Sequence, residues 1–434
     1  MRRLLQAAAL LVVLVSVGLA TTASAVPPPA YFVDETKLPF GALPGSNATP
    51  MWGVHGAAGY RIEVPAQWNG RLVLWAHGFR GDGLELTVDN HPLRAWLIAN
   101  GYAWAASSYS RNGYDVATGV KDTHDLTTLF NGLVDRPQRT YITGASMGGH
   151  VTAASIEQYR HAYDGAMPIC GVVGDYELFD FFLDYMLSAQ TLAGLDAQFP
   201  APADWSAVTV PQITSSLAGA WPFGLTVDGE RLKALTELRS GGERPLFDAA
   251  WAAWATFLLG LPATGDGTVP GSPGVVVDNT DVVYQFDTDP SLTPAEQSFN
   301  ESIPRIAQDP QGRVKRGLDN APVIDGRITV PVLTLHDLGD LFVPFLMEQV
   351  YAQRVADNGR SDLLVQRAIR GVGHCDFTPT ELVTGFADLV KWVEDGTRPA
   401  GDDVLSPAVV AAPSYGCSFT TATRSLGPFT APCP

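Results

Sequence analysis

The stretch Arg139 to His150, R-T-Y-I-T-G-A-S-M-G-G-H, decides how this chain is read. Tyr141-Ile142-Thr143 predicts a short strand, Val151 to Tyr159 predicts a helix, and Gly144-Ala145-Ser146-Met147-Gly148 joins them. A G-x-S-x-G segment between strand and helix is the elbow that holds a serine on a strained turn, where its hydroxyl is exposed. Strand and helix then approach so closely that the positions two before and two after the serine need almost no side chain. Gly144 and Gly148 meet that requirement, and Ser146 is the candidate nucleophile.

Working outward, the segments before the elbow alternate between strand and helix. Tyr60 to Val64 alternates apolar and polar residues, as a half-buried strand does. Arg71 to Ala76, R-L-V-L-W-A, is nearly all apolar, as a strand covered on both faces requires. Leu93 to Ile98 reads as a helix stopped by Asn100-Gly101, Tyr102 to Tyr109 as a strand, and Asp115 to Leu133 as a helix. After the elbow, Ala166 to Val173 supplies another strand. The alternation resumes at Ile328 to Leu335, followed by a helix from Phe345 to Asp357, a strand from Leu363 to Ile369 and a helix from Glu381 to Glu394. Such an order builds an α/β protein with a mostly parallel central sheet and helices on both faces.

Between these halves the sheet pattern is interrupted. Residues 176–326 carry many large apolar side chains, with helical spacing at Leu178 to Leu192 and Pro245 to Leu261. We expect a largely helical lid or cap insertion here, its aromatics mostly forming its own core. The expected division is a signal peptide at 1–25, an N-terminal arm at 26–59, a core at 60–175 and 327–396, and a C-terminal extension at 397–434. Arg2-Arg3, the apolar run Leu4 to Ala20 and Ala23-Ser24-Ala25 carry the pattern of an export signal. Beyond it no apolar stretch is long enough to span a bilayer, so no membrane anchor is expected.

The net charge is −17, which repels phosphate and argues against a nucleic-acid partner. A hydrophobic content of 46% excludes general disorder. Four cysteines in an exported chain predict disulfides. Cys417 and Cys433 bracket a short loop and are paired on that ground, leaving Cys170 with Cys375. Without C-x-x-C or His ligand spacing, neither a metal site nor a cofactor is expected.

Four segments carry a family resemblance: H-G-F at His77 to Phe79, G-A-S-M-G at Gly144 to Gly148, H-D-L-G-D-L-F-V-P at His336 to Pro344, and G-V-G-H at Gly371 to His374. Together they resemble the α/β-hydrolase fold family, in its secreted serine esterase form, over roughly Tyr60 to Glu394 without the insertion. The resemblance implies Ser146 as nucleophile, Asp340 as acid and His374 as base. It also implies an oxyanion hole from the backbone N–H groups of Phe79 and Met147. Asp337 stands where the family often has glycine, and its expected role is to cap the turn. His77, His150 and His336 are expected to be scaffold. Cys375 beside His374 is similar to feruloyl-esterase and tannase-type enzymes, although those carry a second cysteine immediately before the nucleophile, where this chain has Ala145.

A serine becomes nucleophilic when a neutral imidazole accepts its proton and a carboxylate orients that imidazole. The expected activity is therefore hydrolysis of neutral, apolar carboxylic esters, the partner being a small-molecule or polymeric ester. A peptidase or amidase and an acyltransferase share the same triad, and a non-catalytic binding module shares the fold. No propeller-type repeats of the kind that accompany prolyl-oligopeptidase-like peptidases precede Tyr60.

Overall fold

A computed structural model describes residues 30–261, 265–313, 317–318, 321–424 and 432–434. The expected export signal lies outside the described residues. Residues 31–434 form one unit.

Its centre is an eight-stranded sheet. In chain order the strands are β1 (Thr49–His55), β2 (Ala58–Val64), β3 (Arg71–Ala76), β4 (Ala103–Ser107), β5 (Arg139–Ala145), β6 (Gly165–Ile169), β7 (Val332–Asp337) and β8 (Leu364–Ile369). Their spatial order is β1-β2-β4-β3-β5-β6-β7-β8, with β2 antiparallel to both neighbours and the rest parallel. This is the α/β-hydrolase fold.

Side chains alternate across the sheet because successive residues of a strand face opposite ways. Leu72 and Leu74 of β3 join one buried core, whereas Val73 between them joins the other. The first core contains α2 (Val116–Leu133) and α3 (Met147–Gln158); the second contains α1 (Arg94–Ala99) and α10 (Pro379–Asp395). Helix α2 buries Val116, Val120, Leu126 and Phe130, one stripe at helical spacing, and Asp115 caps it by accepting the Thr118 N–H. Helix α10 starts on a capping box between Thr378 and Glu381 and ends at Gly396 in the left-handed conformation.

The insertion between β6 and β7 contains α4 (Glu177–Leu192), α5 (Val210–Leu217), α6 (Val227–Arg239), α7 (Phe247–Gly260) and α8 (Pro294–Ser302). It also holds a short antiparallel ribbon, Ala218–Ala220 with Phe223–Leu225, which the sequence pattern did not signal. Helix α9 (Leu346–Asp357) follows β7. Arg239 of α6 meets Asp184 of α4 at 2.7 Å, and Tyr284 donates to the same buried carboxylate at 2.5 Å. Among the described residues no helix is long and apolar enough to cross a membrane.

Several boundaries differ from expectation. The sheet begins at Thr49, within the N-terminal segment read as irregular arms or edge strands, part of which forms edge strand β1, where Pro50 is tolerated. Strand β6 ends at Ile169, since Cys170 turns the chain at φ 44°. Strand β7 starts only after Pro331, which has no N–H to give to the ladder, although its carbonyl accepts from Ala166 at 3.0 Å.

Candidate active site

Parallel strands end together, and this sheet gathers its chemistry at that edge. Ala76 pairs with Gly144, Ala145 with Ile169, and Asp337 with Ile369. The loops leaving these strands carry His77 to Phe79, Ser146, Cys170, Leu338 to Asp340, and Arg370 to His374. Ligands of open α/β sheets bind at this carboxyl edge.

Ser146 sits between β5 and α3 with φ 60° and ψ −125°, a conformation that L-residues rarely adopt. A Cβ on Gly148 would overlap the Ala76 carbonyl, and one on Gly144 would overlap the Gly148 carbonyl. Both glycines are therefore fixed by the approach of helix to sheet. A Cβ on Gly78 would stand 3.1 Å from the Ser146 Cβ, so the His77–Phe79 loop passes directly beside the serine. Met147 opens α3, where the first N–H groups have no intrahelical acceptor. The Phe79 N–H likewise has no acceptor among the described residues.

On the other side, Nδ1 of His374 lies 2.6 Å from Oδ2 of Asp340. The second carboxylate oxygen accepts the Phe342 and Val343 N–H groups at 2.9 and 3.0 Å, so the acid is held at both oxygens. Asp340 is fully buried. Behind it lies the buried guanidinium of Arg244, which donates to the carbonyls of Leu338 and Gly242 and to Ser240. Burial pushes the Arg244 pKa down to about 10, with Glu237 and Asp340 acting the other way, so it remains a cation.

Asp337 takes a different position. Its Oδ2 accepts the Asp376 N–H at 2.8 Å, across the loop that carries His374, and so holds that turn. Burial pushes its carboxyl well above the usual carboxylate range, and neighbouring Asp340 adds to the effect. The two acids are thus sorted by environment.

The other histidines near the site are structural in their contacts. His77 stacks on Tyr109, with ring centroids 3.8 Å apart, and burial lowers its pKa to about 3. Tyr114 donates to Nδ1 of His150 at 3.0 Å, while Nε2 donates to the Pro322 carbonyl at 2.7 Å. His336 holds the acid loop by donating to the Val343 carbonyl at 2.9 Å, its Nδ1 lying 3.3 Å from Glu348.

Cys170 and Cys375 form one disulfide, Cys417 and Cys433 the other. The first ties the His374 loop to the end of β6, beside the elbow, where the Ser146 N–H donates to the Ile169 carbonyl. Cys170 directly follows the end of β6, the strand that lies beside β5. The Cys375 sulfur lies 3.6 Å from Nε2 of His374, and among the described contacts Ser146 Oγ is not hydrogen-bonded to that nitrogen. Cys170, His374 and Cys375 are close enough together to hold an ion, but both thiols are consumed in the disulfide.

A cavity of about 310 Å³ opens at Ser146 and Met147. Its walls include Phe79, Tyr114, Phe179, Phe182 and Phe342, with Val269 and Pro270 from the insertion. A larger cavity of about 710 Å³, lined by Arg239, Gln349 and Pro407 among others, contains none of these groups and lies away from the serine.

Sequence reading missed two contacts to the histidine loop. Trp254 of α7 donates its indole N–H to the Val372 carbonyl at 2.7 Å, joining the insertion to the loop two residues before His374. Phe342 packs edge-on to the His374 ring at 5.1 Å. No local motif marks Trp254, since its partner is 118 residues away. The C-terminal extension also reaches this loop: Arg370 donates to the Tyr415 carbonyl, and Arg424 pairs with Asp376 at 3.1 Å.

No family model matches the chain. It is 22% identical over 431 residues to the o-phthalyl amidase of Xanthobacter agilis, an alignment covering 82% of this chain and 90% of that protein. Among solved structures it is similar to feruloyl esterase B from Aspergillus oryzae, at 15% identity, 81% of each chain and a TM-score of 0.47. It is also similar to the rice cell wall degrading esterase LipA from Xanthomonas oryzae, at 14% identity, 81% of this chain, 90% of that one and a TM-score of 0.36.

Asp340→Asn lowers kcat by about three to four orders of magnitude, because the imidazole loses its orienting charge, whereas Asp337→Asn lowers it by less than about tenfold. An acid with a raised pKa stabilises the fold below its unfolded pKa and loses that contribution as pH rises toward the folded value. Melting curves at pH 5 and pH 8 therefore show Asp337→Asn gaining on the wild type as pH rises. Trp254→Phe keeps the ring and removes only the N–H. Steady-state kinetics of that variant show kcat lowered about three- to tenfold, the scale of one lost hydrogen bond, with KM nearly unchanged.

Proposed function

We propose that this protein is an exported serine hydrolase that cleaves carboxylic esters through an acyl-enzyme on Ser146. The observation that carries the reading is the convergence at one sheet edge: a serine on a strained elbow, a histidine held by a buried carboxylate, and beside the serine two backbone N–H groups that have no acceptor among the described residues. The export-signal pattern in the sequence of residues 1–25 and the two disulfides support the extracellular reading.

In this mechanism His374 Nε2 accepts the Ser146 proton as Oγ attacks the ester carbonyl. Asp340 fixes the tautomer by accepting from Nδ1 and stabilises the imidazolium that forms. The tetrahedral oxygen accepts from the N–H groups of Phe79 and Met147, each donor contributing roughly 3 kcal/mol in such sites. His374 then returns the proton to the leaving alcohol, and water attacks the acyl-enzyme by the reverse sequence. Substrate entry brings Ser146 Oγ and Nε2 into hydrogen-bond contact, a tightening common to such sites. The largely apolar cavity, capped by the insertion, suits esters with an aryl or alkyl part at the reacting bond, including oligomers of a polyester.

Amide cleavage is the second reading, favoured by the similarity to an amidase. Matched nitrophenyl esters and nitroanilides separate the two when assayed on the wild type and Ser146→Ala. The ester reading expects turnover of the esters alone and loss of it in Ser146→Ala, with an unchanged melting temperature. Anilide turnover at a comparable rate moves the assignment to an amidase. Wild-type activity in Ser146→Ala overturns both.

A further inference from the structure

The charge around the cavity at Ser146 is one-sided. Among the described residues that line it, one is ionic, Asp82, beside Phe79, Tyr114, Phe179, Phe182 and Phe342, and none is basic. Asp82 is exposed and makes no hydrogen bond or ion pair among the described residues. Its loop is nonetheless held from both sides. Gly113 N–H donates to the Gly81 carbonyl at 2.9 Å, and the Asn112 amide donates to the carbonyls of Gly83 and Glu85 at 2.6 and 2.9 Å. The backbone that carries the carboxylate is therefore held beside the cavity.

Among the described residues, three arginines of the neighbouring segments and the insertion face acids of their own. Arg80 donates to Asp89 and Thr87. Arg111 faces Asp115 at 3.7 Å, and Arg313 pairs with Asp180 at 2.5 Å. Aromatic faces attract cations and carry no counterion for an anion. The chain's net charge of −17 also raises the local concentration of cations and lowers that of anions.

We propose that this pocket selects substrates whose non-reacting end carries a cationic group, with Asp82 as the selecting residue, and discriminates against those carrying a carboxylate there. The inference rests on the reading of Ser146 as nucleophile and deepens it. It adds no step to the reaction, because the cation is held while the ester bond is broken as described above.

The test compares three nitrophenyl esters of matched acyl length ending in trimethylammonium, tert-butyl or carboxylate. A second pair, a choline ester and its tert-butylethyl isostere, places the cation on the alcohol side. In at least one series, at low salt, kcat/KM for the cation exceeds that of its carbon isostere by roughly tenfold, mostly through KM, and the preference shrinks in high salt. The carboxylate ester falls below the isostere. In Asp82→Asn the cation-to-isostere ratio drops at least threefold, and Asp82→Lys inverts it, with folding of both variants checked by circular dichroism. A wild-type ratio near one in both series, or a ratio unchanged in both variants, overturns the proposal while leaving the hydrolase reading in place. Failure of the wild type to turn over even the neutral esters overturns that reading, and this one with it.

Discussion

The close approach of α3 to the sheet is the constraint on which this structure depends. The Ala76 carbonyl occupies the space that a Gly148 Cβ would need, and the Gly148 carbonyl occupies that of Gly144. Because the helix lies so near, the residue between strand and helix is forced to φ 60°, and it is a serine. The same approach brings the first N–H of α3 alongside that serine and sets the His77–Phe79 loop against it. Interior packing near crystal density leaves no slack to absorb a shift here. The local strain is therefore kept by tertiary packing.

The remaining groups reach the serine by two long-range ties. The His374 loop is held to Asp340 by a charged hydrogen bond and to the end of β6 by the Cys170–Cys375 disulfide, which closes a sequence separation of 205 residues. In the chain-entropy view a crosslink of that span contributes about 5 kcal/mol by restricting the unfolded chain. A third contact comes from outside the core, through the Trp254 indole. The insertion is thus joined to the histidine loop as well as roofing the pocket. Any rearrangement that carries α7 away from the core breaks a hydrogen bond two residues from His374.

Much of this was legible in the sequence, for local reasons. Arg71 to Ala76 is apolar on both faces because it lies at the centre of the sheet, and Gly144 and Gly148 announce the elbow by their spacing. The offset of Asp340 from Val343-Pro344 separated it from Asp337, and the structure places Asp340 on His374 and Asp337 on the Asp376 backbone. What stayed hidden was non-local. Trp254 finds its partner through tertiary packing, and Arg244 sits behind the acid loop from nearly a hundred residues upstream in sequence. The aromatic residues of the insertion read alike in sequence, although of these buried rings Phe179 and Phe182 also line the cavity at Ser146 and Trp205 and Trp251 do not.

The central claim is that Ser146 is an activated nucleophile, and the most direct measurement is covalent labelling of the intact protein with a serine-directed fluorophosphonate, read by intact mass and peptide mapping. The account predicts a single adduct on the peptide containing Ser146, and loss of labelling in His374→Ala. Labelling of another serine, or equal labelling with His374 removed, contradicts it.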